Sequence, residues 1–273
     1  MANIDKSALV QELLSAYNTG AIVPMPPSVR DIDFNLATAY AVESDFMHAR
    51  IASGSKPVGL KVGYANKAVW RALKLETLVW AHMYDDTVHY ANGAVAQFVL
   101  PPHRAPKIEP EIVFKLKEPW ADGLDAPLVL QRVEWLALGF EIIDCPFPDW
   151  QFKPSDFVAA FGLHLSLVVG EPLPVTPELI PGLAEKLATF RVKVSKDGQF
   201  VEEGLGKNSL RSPALCLAEL SAAIARRPES TPLAAGGLVS SGTLTAGHLI
   251  GRGETWQAEC DGLPVSGLTL HLI

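Results

Sequence analysis

Apolar and polar positions along the chain repeat with two periods, one near 3.6 residues and one of 2. Leu9, Val10, Leu13, Leu14 and Tyr17 recur at helical spacing, with Asp5 or Ser7 available as a cap and Asn18-Thr19-Gly20 as a stop. Pro24, Pro26 and Pro27 read as an extended linker. A second helix is predicted from near Asp33, with Leu36, Ala39, Tyr40, Val42, Phe46 and Met47 as its stripe and Ser53-Gly54 as its end. From Val58 the pattern changes to short alternating runs. Strands are predicted at 59–64, 78–83, 95–99, 108–116 and 136–143, with a helix over 67–75. The stretch 150–169 is ambiguous, its last part, 163–169, suiting either a strand or a buried helix. Asp197-Gly198 between two β-favouring runs predicts a hairpin over 190–202. Pro213 suits the first turn of a helix over 213–226, with Leu217, Leu220, Ala223 and Ile224 on one face. Closing strands are expected at 238–241, 254–260 and 268–272. Many short strands, few helices and no regular strand–helix alternation indicate an α+β fold. The expected organisation is an N-terminal helical accessory layer over residues 1–56 and a catalytic body over 57–273.

Composition narrows the class. A chain of 273 residues that is 48% hydrophobic and 19% charged can bury a large core. The net charge of -7, with short and scattered basic spots, argues against nucleic acid as a partner. No apolar run reaches the length of a membrane span, since 157–170 is interrupted by His164 and Ser166. The start, Met1 to Lys6, leads into an amphipathic helix rather than a secretory signal. Cys145, Cys216 and Cys260 are odd in number, far apart and without metal-site spacing, which suggests reduced packing thiols in a cytoplasmic protein.

The candidate chemistry is acidic. In Lys107-Ile108-Glu109-Pro110-Glu111-Ile112-Val113-Phe114, Glu109 and Glu111 share one face of a strand. Two readings are open: a solvated amphipathic edge strand, or a pair covered by something positive. Pro110 lacks a backbone donor and favours an edge or a bulge. Glu141 lies in the apolar run 139–143, where a carboxylate is costly unless paired or ligating a cation. Three carboxylates would suit a hard cation, Mg²⁺ or Mn²⁺. Asp144 reads as a cap or a surface residue, and Asp85-Asp86 add a further acidic pair. Lys61 and Lys153 stand beside apolar residues, either reaching water or serving as substrate partners or acid/base groups. His164 and His248 show no ligand spacing. Ser240-Ser241-Gly242-Thr243 is not a nucleophile elbow, although its hydroxyls suit an anionic substrate. No dinucleotide or Walker-type glycine loop occurs.

Five ordered segments resemble the 2-keto-4-pentenoate hydratase and 4-oxalocrotonate decarboxylase group of the fumarylacetoacetate hydrolase superfamily. They are Ala39-Tyr40-Ala41-Val42, Gly59-Leu60-Lys61-Val62-Gly63, Met83-Tyr84-Asp85-Asp86-Thr87, Ile108 to Phe114, and Phe140-Glu141-Ile142-Ile143-Asp144. The resemblance implies a rolled mixed β-sheet with flanking helices. It implies that Glu109, Glu111 and Glu141 hold a divalent cation that binds the 2-oxo and carboxylate oxygens of a small α-keto acid. It places Lys61 and Asp85 or Asp86 over the substrate as proton carriers, and Lys153 near the site through 149–157. Val62, Ser241, Gly242 and Thr243 become substrate-binding, the last three as a closing turn. The implied reaction is hydration of a 2-hydroxy-2,4-dienoate in aromatic catabolism. The alternatives are decarboxylation of a 2-keto diacid, C–C hydrolysis of an acylpyruvate, or a non-catalytic partner or oxo-acid-binding protein. A homo-oligomer, and a complex with a related decarboxylase or hydratase, are also expected. Two segments depart from the group: Ala159-Ala160-Phe161-Gly162 replaces a polar cluster, and Cys145-Pro146-Phe147-Pro148 stands where an Arg is common. Both bear on the substrate, the second because an Arg clamps a carboxylate bidentately.

Overall fold

The computed structural model describes residues 4–101, 105–119, 125–227 and 234–273. Met1–Asn3, at the head of the predicted helical layer, lie outside them. The strands are β1 (Pro57–Gly63), β2 (Val79–Tyr84), β3 (Val88–Tyr90), β4 (Val95–Phe98), β5 (Lys107–Leu116), β6 (Val133–Ile143) and β7 (His164–Val169). They continue with β8 (Leu173–Pro174), β9 (Arg191–Lys196), β10 (Gln199–Leu205), β11 (Leu238–Ser240), β12 (His248–Leu249), β13 (Thr255–Asp261) and β14 (Leu268–Leu272). The larger sheet runs β2-β1-β11-β5-β6-β7-β3, with β12 also on β5 and β8 on β6. The smaller runs β10-β9-β13-β14-β4. β1/β11, β3/β7 and β4/β14 are parallel and the other pairs antiparallel, so both sheets are mixed.

The larger sheet is rolled, and its connectivity requires it. β2 and β3 are opposite edges, yet only Asp85, Asp86 and Thr87 separate them. Four residue steps reach about 14 Å at most, whereas the edges of a flat seven-strand sheet lie about 29 Å apart. Thr87 pins the seam. Its hydroxyl donates to the Tyr84 carbonyl at 3.0 Å, and its own carbonyl accepts from Leu167 N at 2.8 Å and Ser166 Oγ at 2.9 Å.

Alternation decides what the roll encloses. Met83, Val88, Val113, Trp135, Ala137, Leu167, Val169 and Leu238 form an apolar cluster on the inner face, distinct from the main core. Two residues on from Val113 and Ala137, the same face carries Glu111, Glu109, Gly139 and then Glu141. The roll is therefore apolar at one end and acidic at the other. The opposite face, with Ile108, Ile112, Phe114, Leu138, Phe140 and Ile142, packs into the main core. Leu9, Val10, Leu13, Val42 and Phe46 of the N-terminal helices join that core, so the helical layer and the roll share one apolar interior.

Local chemistry places the helices. Asp5 caps Lys6–Thr19, and Gly20 ends it with φ 73°. The second helix is Leu36–Ala52 and starts later than Asp33, because Asn35 accepts from the Ala37 and Thr38 amides. The extended linker contains one helical turn, Pro27–Arg30, with proline at a position that needs no donor. The ambiguous 150–169 divides into a helix, Pro154–Ala159, and β7. Helix Ile180–Thr189 lies outside the predicted set, since Pro181-Gly182 reads as a turn although proline is tolerated in a first helical turn.

Pro110 sits in a central strand rather than at the edge or bulge expected, yet that strand is not fully paired there. It pairs with Phe140 on one side. On the other, β11 covers Val113–Lys115 and β12 covers Lys107–Ile108, leaving a gap opposite Pro110. The Pro110 carbonyl points into that gap and accepts from Leu244 N at 3.0 Å. Its ring nitrogen faces the same way, so no ladder bond is lost.

The interior of the roll tolerates little added volume. A Cβ on Gly139 would lie 2.6 Å from Val113 Cγ2 and 3.2 Å from the Val168 carbonyl. Gly139→Ala is expected to destabilise the protein by about 1–3 kcal/mol, with Val113→Ala in the same chain recovering part of the loss. Denaturant unfolding of the two single variants and the double variant measures the coupling, and additive losses would contradict it.

Candidate functional site

Antiparallel register brings the acids together. Glu109 lies opposite Glu141 and Glu111 opposite Gly139, whose missing side chain leaves room between them. One carboxylate oxygen from each of Glu109, Glu111 and Glu141 lies within 4.8 Å of the others. Glu111 and Glu141 are fully buried, and Glu109 faces a cavity.

Each buried carboxylate is aimed by its neighbours. Glu111 Oε2 accepts from Ser240 Oγ and, at 2.9 Å, from the Gly242 amide, while its Oε1 has no partner. Glu141 Oε1 meets His164 Nδ1 at 2.8 Å, and His164 Nε2 meets Thr87 Oγ1 at 3.0 Å, tying the site to the seam of the roll. Glu141 Oε2 is in ion-pair contact with Lys61 Nζ at 2.8 Å.

The charge balance is short of cations. Burial pushes Glu109 up to about 7, with Lys61 opposing and Glu141 adding to the rise. Burial, and then the charge of Glu141, hold Glu111 well above the ordinary carboxylate range. Glu141 is held below that range because Lys61 and His164 outweigh its burial. Burial likewise disfavours the Lys61 ammonium, but Glu141, then Glu109 and Glu111, more than offset it and raise its pKa. Lys61 and His164 at Glu141, with Lys107 acting on Glu109, still leave Glu109 and Glu111 raised. A divalent cation fits: the donors are all oxygens, Glu111 Oε1 is unused, and no thiolate competes.

Lys61 is held as firmly as the acids. Its Nζ donates to the Gly162 carbonyl at 3.0 Å and lies 5.0 Å from the centre of the Phe157 ring. Phe161, Gly162 and Leu163 are all left-handed, with φ of 57°, 65° and 58°. This is a strained conformation for two of the three. The turn brings Gly162 so close that a Cβ there would lie 2.6 Å from Lys61 Cδ.

The site opens into a cavity of about 360 Å³ walled by Tyr64, Trp150, Phe152 and Phe157, enough for a small organic acid. Of the residues singled out in the sequence, Lys61, Val62, Glu109, Gly242 and Thr243 line it. Glu111 and Glu141 stand directly behind. Ser241 is fully buried, and its carbonyl accepts from Ser209 Oγ and Cys216 Sγ, so it supports the turn from outside the cavity.

Three expected catalytic residues are not in the cavity. Asp85 Oδ1 accepts from the Lys56 amide, and the exposed Asp86 pairs with Arg50 at 2.6 Å. Lys61 lies opposite Ala81 while Tyr84 lies opposite Pro57, which puts Asp85 about 13 Å along β2 from the lysine. The acidic loop is the seam of the roll. Lys153 precedes the helix Pro154–Ala159, and its Nζ reaches toward the Ser28 carbonyl at 3.5 Å, in a neighbouring groove. Asp144, read as a cap or surface group, is buried. His164, which shows no ligand spacing in the chain, is buried and bonded to Glu141 itself. The one signal for it was the need of Glu141 for a partner. Thr87 and Trp150 lay within segments read for Asp85, Asp86 and Lys153 rather than for themselves, and Asn208, which also lines the cavity, carried no signal.

No protein-family model matches the chain. It is 29% identical to a 2-hydroxypent-2,4-dienoate hydratase of Pseudomonas putida, over 72% of this chain and 85% of that protein. It is 28% identical to a 4-oxalocrotonate decarboxylase of Pseudomonas sp. (strain CF600), over 85% of this chain and 84% of that one. Its fold matches a solved 4-oxalocrotonate decarboxylase from Pseudomonas putida G7, complexed with magnesium and adipate. The TM-score is 0.85 at 23% identity, covering 100% of this chain and 99% of the other.

Two measurements check this geometry. His164→Ala is expected to weaken Mn²⁺ binding by about 10–100-fold in calorimetric titration, because it frees Glu141 to rotate. An unchanged affinity would remove His164 from the site. In metal-free protein, Glu109 keeps its proton up to about pH 7, whereas its ordinary value is 4.5. Between those values the folded state binds more protons than the unfolded chain, so stability in EDTA falls as pH rises through that window. Saturating Mg²⁺ is expected to flatten the fall, which thermal unfolding at several pH values would detect.

Proposed function

We propose, from the kinship of this chain with the 2-keto-4-pentenoate hydratases and 4-oxalocrotonate decarboxylases and from its fumarylacetoacetate-hydrolase-type fold, that it is a metal-dependent lyase. It hydrates a 2-hydroxy-2,4-dienoate to a 4-hydroxy-2-keto acid in the breakdown of aromatic compounds. The observation that carries this reading is the convergence of Glu109, Glu111, Glu141 and Lys61 at the wall of a cavity sized for a small acid.

Glu109, Glu111 and Glu141 would hold Mg²⁺ or Mn²⁺, which when bound supplies Lewis-acid polarisation of the 2-oxo and carboxylate oxygens of the substrate. Lys61 is the proton carrier. Lys61 lines the cavity, and Glu141, Glu109 and Glu111 favour its charged form against burial. It delivers a proton to the far carbon of the diene as the enol proton is lost, leaving an α,β-unsaturated ketone to which water adds at C4. Phe157, Tyr64 and Trp150 supply flat apolar walls for the conjugated chain and limit the water that enters. The Gly242–Thr243 turn, held by Glu111, borders the carboxylate end.

Decarboxylation of a 2-keto diacid is the second reading. It uses the same electron sink and is the activity named for one of the relatives. The three free cysteines suit a cytoplasmic protein. Among the described residues no helix is long and apolar enough to cross a membrane. A homo-oligomer, and association with a related decarboxylase or hydratase, complete the proposal, and light scattering of the protein alone and after mixing tests both.

Assays with Mg²⁺ on a 2-hydroxy-2,4-dienoate, a 2-keto diacid and an acylpyruvate separate the chemistries. Turnover of the dienoate is expected, with Lys61→Met lowering kcat by about 10²–10⁴-fold and Glu109→Gln abolishing metal-dependent turnover. Wild-type rates in Glu109→Gln would overturn the metal assignment. Activity that appears only after mixing with a relative would favour a partner subunit.

A further inference from the structure

The smaller sheet carries none of the three carboxylates, yet it grips the loop that touches two of them. β11 and β12 are the ends of one excursion alongside β5. From Ser240 to His248 that segment takes eight residue steps, while β5 takes five between their partners Val113 and Ile108. The surplus is thrown out as a loop over the stretch of β5 that bears Glu109 and Glu111. Its inner side follows β5: Ser241 N donates to the Ile112 carbonyl at 3.1 Å, and Leu244 N to the Pro110 carbonyl at 3.0 Å. The Gly242 amide donates to Glu111 Oε2 at 2.9 Å. Gly247 lies so close to Glu109 that a Cβ there would be 3.0 Å from its Oε1. Gly242, Thr243 and Gly247 all line the cavity.

The outer side of the loop is held from β10. Glu202 Oε2 accepts from Ala246 N at 3.1 Å and meets His248 Nε2 at 2.8 Å. Ala246 and His248 flank Gly247, so the two contacts of Glu202 bracket the residue that bears on Glu109. Two residues further along β10, on the same face, a Cβ on Gly204 would run into the Leu244 carbonyl, so strand and loop meet backbone to backbone. Asn208 Nδ2 donates to that same carbonyl at 2.8 Å. The His248 ring stacks on Trp256 of β13, with centroids 5.8 Å apart. A segment with Gly242 and Gly247 at its ends has much backbone freedom to lose, and these contacts from the smaller sheet remove it.

We propose that Glu202 is a positioning residue for the metal site: by bracketing Gly247 it fixes the loop against Glu109 and so sets where that carboxylate can point. The smaller sheet then serves the site as a brace. The inference rests on the metal-site reading above. Glu202 is not among the described residues that line the cavity, so its influence passes through the loop. The competing role for Glu202 is to staple the two sheets together, and this predicts lower stability with unchanged metal affinity.

The test measures Mn²⁺ affinity by calorimetry and denaturant unfolding in EDTA, on the full chain of wild type, Glu202→Ala, Glu202→Gln and Gly247→Ala. Glu202→Ala is expected to weaken Mn²⁺ by about tenfold, the lower end of the range for groups that orient a metal ligand. Glu202→Gln keeps an acceptor for the Ala246 amide and is expected to restore most of that affinity. Gly247→Ala probes the contact itself. The atom in the way is the end of a flexible side chain, so the carboxylate gives way rather than the backbone. Mn²⁺ binding is expected to weaken there while the unfolding midpoint in EDTA stays near wild type. In turnover assays, Glu202→Ala is expected to need more Mg²⁺ for half-maximal rate, with kcat near wild type once Mg²⁺ saturates. Unchanged Mn²⁺ affinity in Glu202→Ala or in Gly247→Ala, or an equal loss in Glu202→Gln, would overturn the role of Glu202 while leaving the metal site standing. If wild type binds no Mn²⁺, the underlying reading fails, and this one with it.

Discussion

Three residues join the two edges of a seven-strand sheet, and the remaining architecture follows from that short tether. With Tyr84 and Val88 so close in the chain, β2 and β3 can occupy opposite edges only if the sheet curls until they almost meet. Curling divides the faces of the sheet by size. The outer face has room for Phe114, Phe140 and the helices, whereas the inner face, which carries Trp135 and Met83 in its apolar cluster, tightens around Gly139 between Val113 and Leu167. A residue placed inside cannot swing out to water. Glu111 and Glu141 therefore stay buried whatever their charge, and the protein must satisfy them in place.

That confinement is the source of the chemistry. Withdrawing an ionised carboxylate from water costs several kcal/mol even after the surroundings relax, and here three converge, with Lys61 and His164 on Glu141 and Lys107 acting on Glu109. The result is a site with two carboxyls biased toward protonation, a third held ionised, and a lysine kept charged by all of them. A dication held by the three carboxylates would resolve the imbalance. The same tether reaches the site through Thr87 and His164, so the seam that closes the roll also orients Glu141. Strain is concentrated nearby, in the left-handed pairs Phe161/Leu163 and Asp149/Trp150. The first brings the Gly162 carbonyl to Lys61, and the second puts an aromatic face under Lys107.

Much of this was legible in the chain. Alternation in Ile108 to Phe114 marked both the strand and the face that its acids share. The isolation of Glu141 among apolar residues signalled a partner or a ligated cation. These readings hold because they rest on period-2 geometry and on the cost of a buried charge, both of which act over a few residues. The hairpin at Asp197-Gly198 and the helix from Pro213 are local in the same sense.

Other assignments depended on distance through space. Asp85 and Asp86 look like chemistry in the chain and are a seam in the fold, because which strand lies at which edge is not encoded in their own neighbourhood. Lys153 stands close in sequence to Trp150, yet the onset of a helix turns its side chain into another groove. His164 lies 23 residues from Glu141 and meets it only because β6 and β7 pair with a register shift there. Pro110 is central in the sheet and still needs no donor, because β11 and β12 leave a gap opposite it. What the sequence determined by itself was the identity of the strands, the face each acid occupies and the need for a counter-charge. Only the tertiary structure decided which groups answer that need, because burial, register and the closure of the roll are properties of strands far apart in the chain.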